Sequence, residues 1–213
     1  MKIEVWADVA CPWCWIGETR LLRALQQRPE VRAEIVWRPF QLQPGMPAEG
    51  KPWEELVRTK FGGPERARVM FGHVASAGAL DGLPFNFDAV TTAPNTRSAH
   101  RLILHAQQNG VGQEMADALF RAYFSEGRDV GRTGVLADVA AGVGLDRDRV
   151  ARFLAGSEFA DEVDASQADA AAHGVNGVPF FVLEGKYAFS GAQPLETFVS
   201  VLNQVARQES AGR

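Results

Sequence analysis

The strongest constraint on this chain is a sheet begun at one end and finished at the other. Residues 2–8 alternate, with Ile3, Val5 and Ala7 on one side and Lys2, Glu4, Trp6 and Asp8 on the other, the pattern of a strand. Pro12 suits a first helical position, and Ile16, Leu21, Leu22 and Leu25 recur at helical spacing up to Arg28-Pro29. A second strand follows over 32–40, so the first forty residues read as β–α–β. Pro44, Gly45, Pro47 and Gly50 mark an exit, after which helices are predicted over 53–61, 64–79, 95–109, 112–127, 133–142, 147–154 and 158–173. Thr133 and Asp146 are the expected N-caps, Gly110 and Gly127 the expected stops, and 83–88 an extended connection. Strand character returns at 178–183, turns at Glu184-Gly185-Lys186, continues over 187–190, and leads into a final helix over 195–207 with a frayed tail from Glu209. The order predicts an α/β protein. Residues 1–44 and 174–213 form one domain, and an all-helical 45–173 is inserted into it.

The only two cysteines fall at the first strand-to-helix junction, in Asp8-Val9-Ala10-Cys11-Pro12-Trp13-Cys14-Trp15-Ile16-Gly17. A Cys-x-x-Cys in that position is a dithiol–disulfide redox site. A structural staple is the poorer reading, because so short a loop gains little from cross-linking. Structural zinc needs four ligands, and one cysteine pair with a distant His100-x-x-x-x-His105 does not supply them. No metal and no cofactor are expected. A net charge of −4 and a pI near 5.6 leave no basic stripe for nucleic acid. No apolar run approaches the ~18 residues of a membrane span. Acids in the first eight residues interrupt what a signal peptide keeps apolar, so the expected setting is cytoplasmic, where thiols stay reduced.

Exchange chemistry needs a thiolate, and a helix N-terminus favours one through unpaired N–H groups and the dipole. Cys11 is therefore expected to be the exposed attacking thiol, with Cys14, one turn further in, resolving the mixed disulfide. Pro12-Trp13 adds no cation to hold the thiolate. Asp8, three residues before Cys11, either carries the proton of Cys14 or caps the turn. Trp13, Trp15, Phe40 and Phe180 are candidates for a peptide-binding surface, although only Trp13 is expected to be exposed. His73, His105 and His173 carry no functional signal.

Cys11-Pro12-Trp13-Cys14 after a first strand, Asn95-Thr96-Arg97-Ser98-Ala99-His100-Arg101-Leu102 on a helix, and Gly177-Val178-Pro179-Phe180-Phe181-Val182 before a hairpin together resemble the DsbA-like branch of the thioredoxin superfamily. Within it they are most similar to FrnE-type proteins. The resemblance implies a thioredoxin fold with an inserted helical domain and thiol–disulfide oxidoreductase activity on protein or low-molecular-weight thiols, glutathione among them. It also implies a cis Val178–Pro179 bond facing the dithiol, with Val178 offering its backbone to an extended substrate. His100, in the family-like stretch, either faces the dithiol cleft or packs as a hydrogen-bonded histidine. Some FrnE-type members carry a second cysteine pair near the C-terminus; this chain does not, so internal relay is excluded.

Glutathione-dependent isomerases of the 2-hydroxychromene-2-carboxylate type and kappa-class glutathione transferases resemble the same architecture. They typically hold serine where Cys11 stands, so the retained pair favours exchange. A non-catalytic binding or chaperone module leaves the dithiol unexplained.

Overall fold

The computed structural model describes residues 1–211, with side chains as far as Glu209. Its main sheet is assembled from both ends of the chain. Strand β1 (Lys2–Ala7) lies in the middle, parallel to β2 (Glu34–Pro39) and antiparallel to β5 (Phe180–Leu183). β6 (Tyr187–Ser190) pairs with β5 at the far edge, giving the order β2-β1-β5-β6. Helix α1 (Pro12–Gln26) makes the crossover between β1 and β2 and packs beside the last helix, α9 (Leu195–Ala211).

Between the halves run α2 (Trp53–Lys60), α3 (Pro64–Leu80), α4 (Arg97–Gln108), α5 (Gly112–Phe124), α6 (Thr133–Gly142), α7 (Arg147–Ala155) and α8 (Ala160–Ala172). Two very short strands, β3 (Lys51–Pro52) and β4 (Thr92–Ala93), pair at the neck of this segment. Two-residue strands carry too little alternation to be read from sequence. Thr133 opens α6 as its first residue, not as its cap, which falls on Arg132. Asp146 caps α7 as expected, accepting the Arg149 N–H at 2.7 Å. α4 starts two residues later than expected, because the Asn95 side chain accepts the Arg97 N–H at 2.9 Å and turns the chain first. The stretch 83–88 is not wholly extended, since a 3-10 turn begins at Phe87. α9 continues through Ala211, so residues 209–211 are helical; Gly212 and Arg213 lie outside the described residues.

The hairpin between β5 and β6 turns on Glu184 and Gly185, both left-handed at φ 53° and 65°. That pair of conformations matches the twist of the flanking strands, and glycine adopts it without a steric penalty. At the other edge, β2 is shielded by a side chain. The Gln107 amide accepts the Trp37 N–H at 2.6 Å and donates to the Trp37 carbonyl at 3.3 Å, as a neighbouring strand would. β1 is covered on both faces at its end. Ile3, Val5 and Ala7 enter the main core, while Trp6 enters a smaller cluster with Phe40, Ala170 and Val175.

The main core crosses from the sheet into the helical segment, with Trp15 at the crossing on α1 and Trp37 of β2 meeting Phe120 at 5.9 Å. Trp15, fully buried on α1, stacks on Phe120 and Phe124 of α5 at centroid distances of 6.2 and 6.5 Å and meets Phe85 edge-on at 5.1 Å. Its indole N–H donates to Asp117 at 2.8 Å. Arg20 and Arg23 of α1 tie in the end of α3 by bonds of 2.7 and 2.9 Å to Asp81.

Glu18, on the same helix, is buried against α5 with one oxygen taken by the Gln113 amide at 2.6 Å and the other without a partner. Burial pushes its carboxyl up to about 8, with Asp117 adding to the rise and the Gln113 bond opposing it. The folded chain thus holds a proton that the unfolded chain releases above pH 4.5 or so. Stability at this position is lost as pH rises through that window. Glu18→Gln keeps the Gln113 bond and has no proton to lose. Its advantage over wild type in denaturant unfolding is expected to grow by about 1.4 kcal/mol per pH unit between those values and to level off above them.

Candidate active site

Strand β1 ends at Ala7, and the chain turns so that the Cys11 N–H donates to the Asp8 carbonyl at 2.9 Å. Cys11 is the N-cap of α1 with extended backbone, Pro12 is the first helical residue, and Cys14 lies one turn in. Both cysteines are free thiols. Cys11 is 6% exposed and Cys14 1%, so the expectation of an exposed Cys11 is corrected. What covers Cys11 is the loop ahead of β5. The Val178–Pro179 bond is cis, and the Cys11 thiol donates to the Val178 carbonyl at 3.6 Å. Trp13 is 40% exposed on the rim, whereas Trp15 and Phe40 are core residues and make no docking surface.

Gly17 is what allows this approach. A Cβ there would lie 2.9 Å from Pro179 Cγ and 3.2 Å from Phe181 Cζ. The helix and the proline loop can touch only because the helix has no side chain at that point. The Pro179 carbonyl is held in turn by the Gly191 N–H at 2.8 Å.

Asp8 is 1% exposed and faces inward beneath the pair. One carboxylate oxygen accepts the Leu42 N–H at 2.8 Å and the other the Ala10 N–H at 3.2 Å. His100 of α4, fully buried, places Nε2 3.3 Å from Asp8 Oδ1. The contact is close but not aligned as a hydrogen bond, and neither ring nitrogen has a hydrogen-bond partner. His100 therefore lies against Asp8 as a buried packing histidine, one of its two expected places, although without the hydrogen bond expected of it there. Tyr123 completes the buried polar cluster. Its hydroxyl donates to the Thr92 carbonyl at 3.1 Å, and burial together with the Asp8 charge makes it a much weaker acid than usual.

The two thiols differ by depth. Burial pushes the Cys14 thiol well up, and its hydrogen bond and charge interaction with Cys11 push it further. The Asp8 charge also raises it, while a backbone hydrogen bond at Asp8 opposes the rise. All eight sequence candidates (Asp8, Cys11, Pro12, Trp13, Cys14, His100, Val178 and Pro179) lie in or directly behind this one site. Gly17, Tyr123 and the Leu42 N–H were missed. Gly17 interrupts an apolar helical stripe, which is a readable signal, but the other two act through contacts that no local pattern encodes.

Residues 2–203 match the DSBA-like thioredoxin domain. The chain belongs to the DSBA-like thioredoxin family. A probable DsbA oxidoreductase from Streptomyces coelicolor is 36% identical, with a TM-score of 0.87 over 96% of this chain and 89% of that one. A 2-hydroxychromene-2-carboxylate isomerase shares the fold at 18% identity and TM-score 0.74, over the whole of both chains. So does DsbM, a cytosolic disulfide reductase from Pseudomonas aeruginosa solved with GSH, at 21% identity and TM-score 0.68 over 97% of this chain and all of that one. No helix among the described residues is long and apolar enough to cross a membrane.

In the reduced protein at pH 8, iodoacetamide is expected to alkylate Cys11 and to spare Cys14, because depth and proton affinity both protect the second thiol. Peptide mapping by mass spectrometry reads the site; equal labelling of both would contradict the assignment.

Proposed function

We propose that this protein is a thiol–disulfide oxidoreductase of the FrnE type, exchanging its Cys11–Cys14 pair with protein or low-molecular-weight thiols. One observation carries the reading. A free thiol at the N-terminus of α1, against the Val178 carbonyl, is backed one turn deeper by a second thiol whose proton affinity is raised by burial.

The chemistry follows from that asymmetry. The Cys11 thiolate attacks a substrate disulfide, breaks its S–S bond and expels the first thiolate, leaving a mixed disulfide. Cys14 must then lose its proton in a buried site. In this reading Asp8, whose charge acts on Cys14, takes that proton, and His100 is a positioning residue for Asp8. The Cys14 thiolate attacks the Cys11 sulfur and releases the second product thiol. The pair has gained a disulfide and the substrate two electrons. With no further cysteine in the chain, an external thiol must return the pair to the dithiol.

The likeness to a cytosolic reductase solved with GSH supports a cytoplasmic setting and glutathione as one such thiol. In that setting reduction or isomerisation is favoured over oxidation. Val178 would present its backbone to an extended substrate beside Cys11. The glutathione-dependent isomerase reading has only the shared fold behind it, and this chain keeps a cysteine where those enzymes typically hold serine.

Reduction of insulin tests the proposal. Cys11→Ser is expected to fall to the uncatalysed rate, and Cys14→Ser to accumulate a mixed disulfide with glutathione visible by intact mass. Asp8→Asn, which can still accept the Leu42 N–H, is expected to slow the resolving step by about 10²-fold. A Cys11→Ser variant as active as wild type removes the proposal. Isomerisation or conjugation without exchange transfers the site to the glutathione-dependent reading.

A further inference from the structure

A cavity of about 280 Å³ opens beside Cys11, between the dithiol turn and the first two helices of the inserted segment. That volume is at the small end for ligand pockets, near a single compact molecule and too small for a length of folded chain. Aromatic rings make up a large share of its walls, with aliphatic side chains between them. Trp53 stacks on Phe71 at 5.5 Å, Phe71 stacks on Phe87 at 4.6 Å, and Phe61 meets Phe71 edge-on at 5.2 Å. Trp13 closes the side nearest the cysteines. Edge-to-face and offset packing against such walls favours a flat aromatic guest over a flexible aliphatic one.

Two lining side chains carry charge, Asp8 and Lys60. The Asp8 oxygens are occupied by the Leu42 and Ala10 N–H groups and by the approach of His100. Lys60, at the last position of α2, is exposed and has no carboxylate partner among the described residues. The cavity thus offers aromatic walls, one unpaired cation and a reactive sulfur.

We propose that this cavity binds the aryl half of a small aromatic disulfide that bears an anionic group, seating the ring among Trp53, Phe71 and Phe87 and the anion at Lys60. The proposal rests on the exchange reading and specifies its substrate. The Cys11 thiolate attacks one sulfur of the aryl disulfide, the S–S bond breaks, and an arenethiolate leaves. Cys14, its proton passed to Asp8, attacks Cys11 and releases the second arenethiolate. Two electrons pass from the dithiol to the aryl disulfide. An aliphatic disulfide undergoes the same step without the contacts of the walls.

The test uses the reduced full-length protein with two probes, dithiobis(nitrobenzoate) and bis(hydroxyethyl) disulfide, and reads the ratio of their rate constants. Lys60→Gln is expected to lower the aryl-to-alkyl ratio about fivefold, and Phe71→Ala about tenfold. Lys60 is exposed, so its replacement does not endanger folding. A binding arm needs no exchange. With both cysteines changed to serine, nitrobenzoate itself is expected to quench tryptophan fluorescence saturably, and Lys60→Gln to weaken that quenching. Ratios unchanged within twofold and no saturable quenching overturn the proposal. So does quenching by a short apolar peptide but not by nitrobenzoate, which assigns the cavity to a client side chain. If exchange is absent with both probes the oxidoreductase reading falls, and the binding arm still decides what the cavity holds.

Discussion

The first two turns of α1 are gripped from two sides, and the rest of the molecule depends on that grip. On one side Gly17 lets the Pro179 loop settle against the helix, which brings the Val178 carbonyl over Cys11. On the other, Trp15 is stacked on Phe120 and Phe124 of the helical segment. The dithiol lies between the two contacts. Neither half of the sheet makes this site alone. β1 supplies the turn, the segment before β5 the proline, and α4 and α5 the floor. The cysteine pair is thus coupled to the Val178–Pro179 segment by direct contact, since Gly17 of the same helix packs against Pro179.

Burial then divides the ionisable groups by what surrounds them. Asp8 receives two backbone N–H donors and lies against the His100 imidazole. Glu18, on the same helix, has a single amide partner and is pushed up to about 8. Cys14 has almost no contact with water and holds its proton tightly, so its release has to be coupled to attack on Cys11. In the proposed mechanism, depth set by a single helical turn is what separates attacking from resolving thiol.

Much of this was legible because local chemistry and global fold agree. Pro12 at the helix start, Asp146 as a cap, and Glu184-Gly185 as a turn are each dictated by backbone geometry that a neighbouring residue or two can specify. The Cys-x-x-Cys marks its own chemistry by spacing. What escaped depends on contacts across the chain. Thr133 has the composition of a cap, but the helix begins at it and not after it. Cys11 was expected in solvent, yet residues more than 160 positions away cover it. His100 was recognisable as part of the site, while its approach to Asp8 was set by how α4 packs against the sheet at β2. The buried state of Glu18 follows from the facing surface of α5, which no periodicity on α1 reveals.

The proposed exchange requires that Cys11 and Cys14 form one reversible two-electron couple. Equilibrating the protein with reduced and oxidised glutathione at fixed ratios, quenching with acid and reading the intact mass tests it directly. A single transition between dithiol and intramolecular disulfide is expected, fitted by a two-electron curve with a midpoint between about −270 and −120 mV. A protein that stays dithiol at every ratio, or that takes up glutathione on Cys11 without ever closing the disulfide, would contradict it.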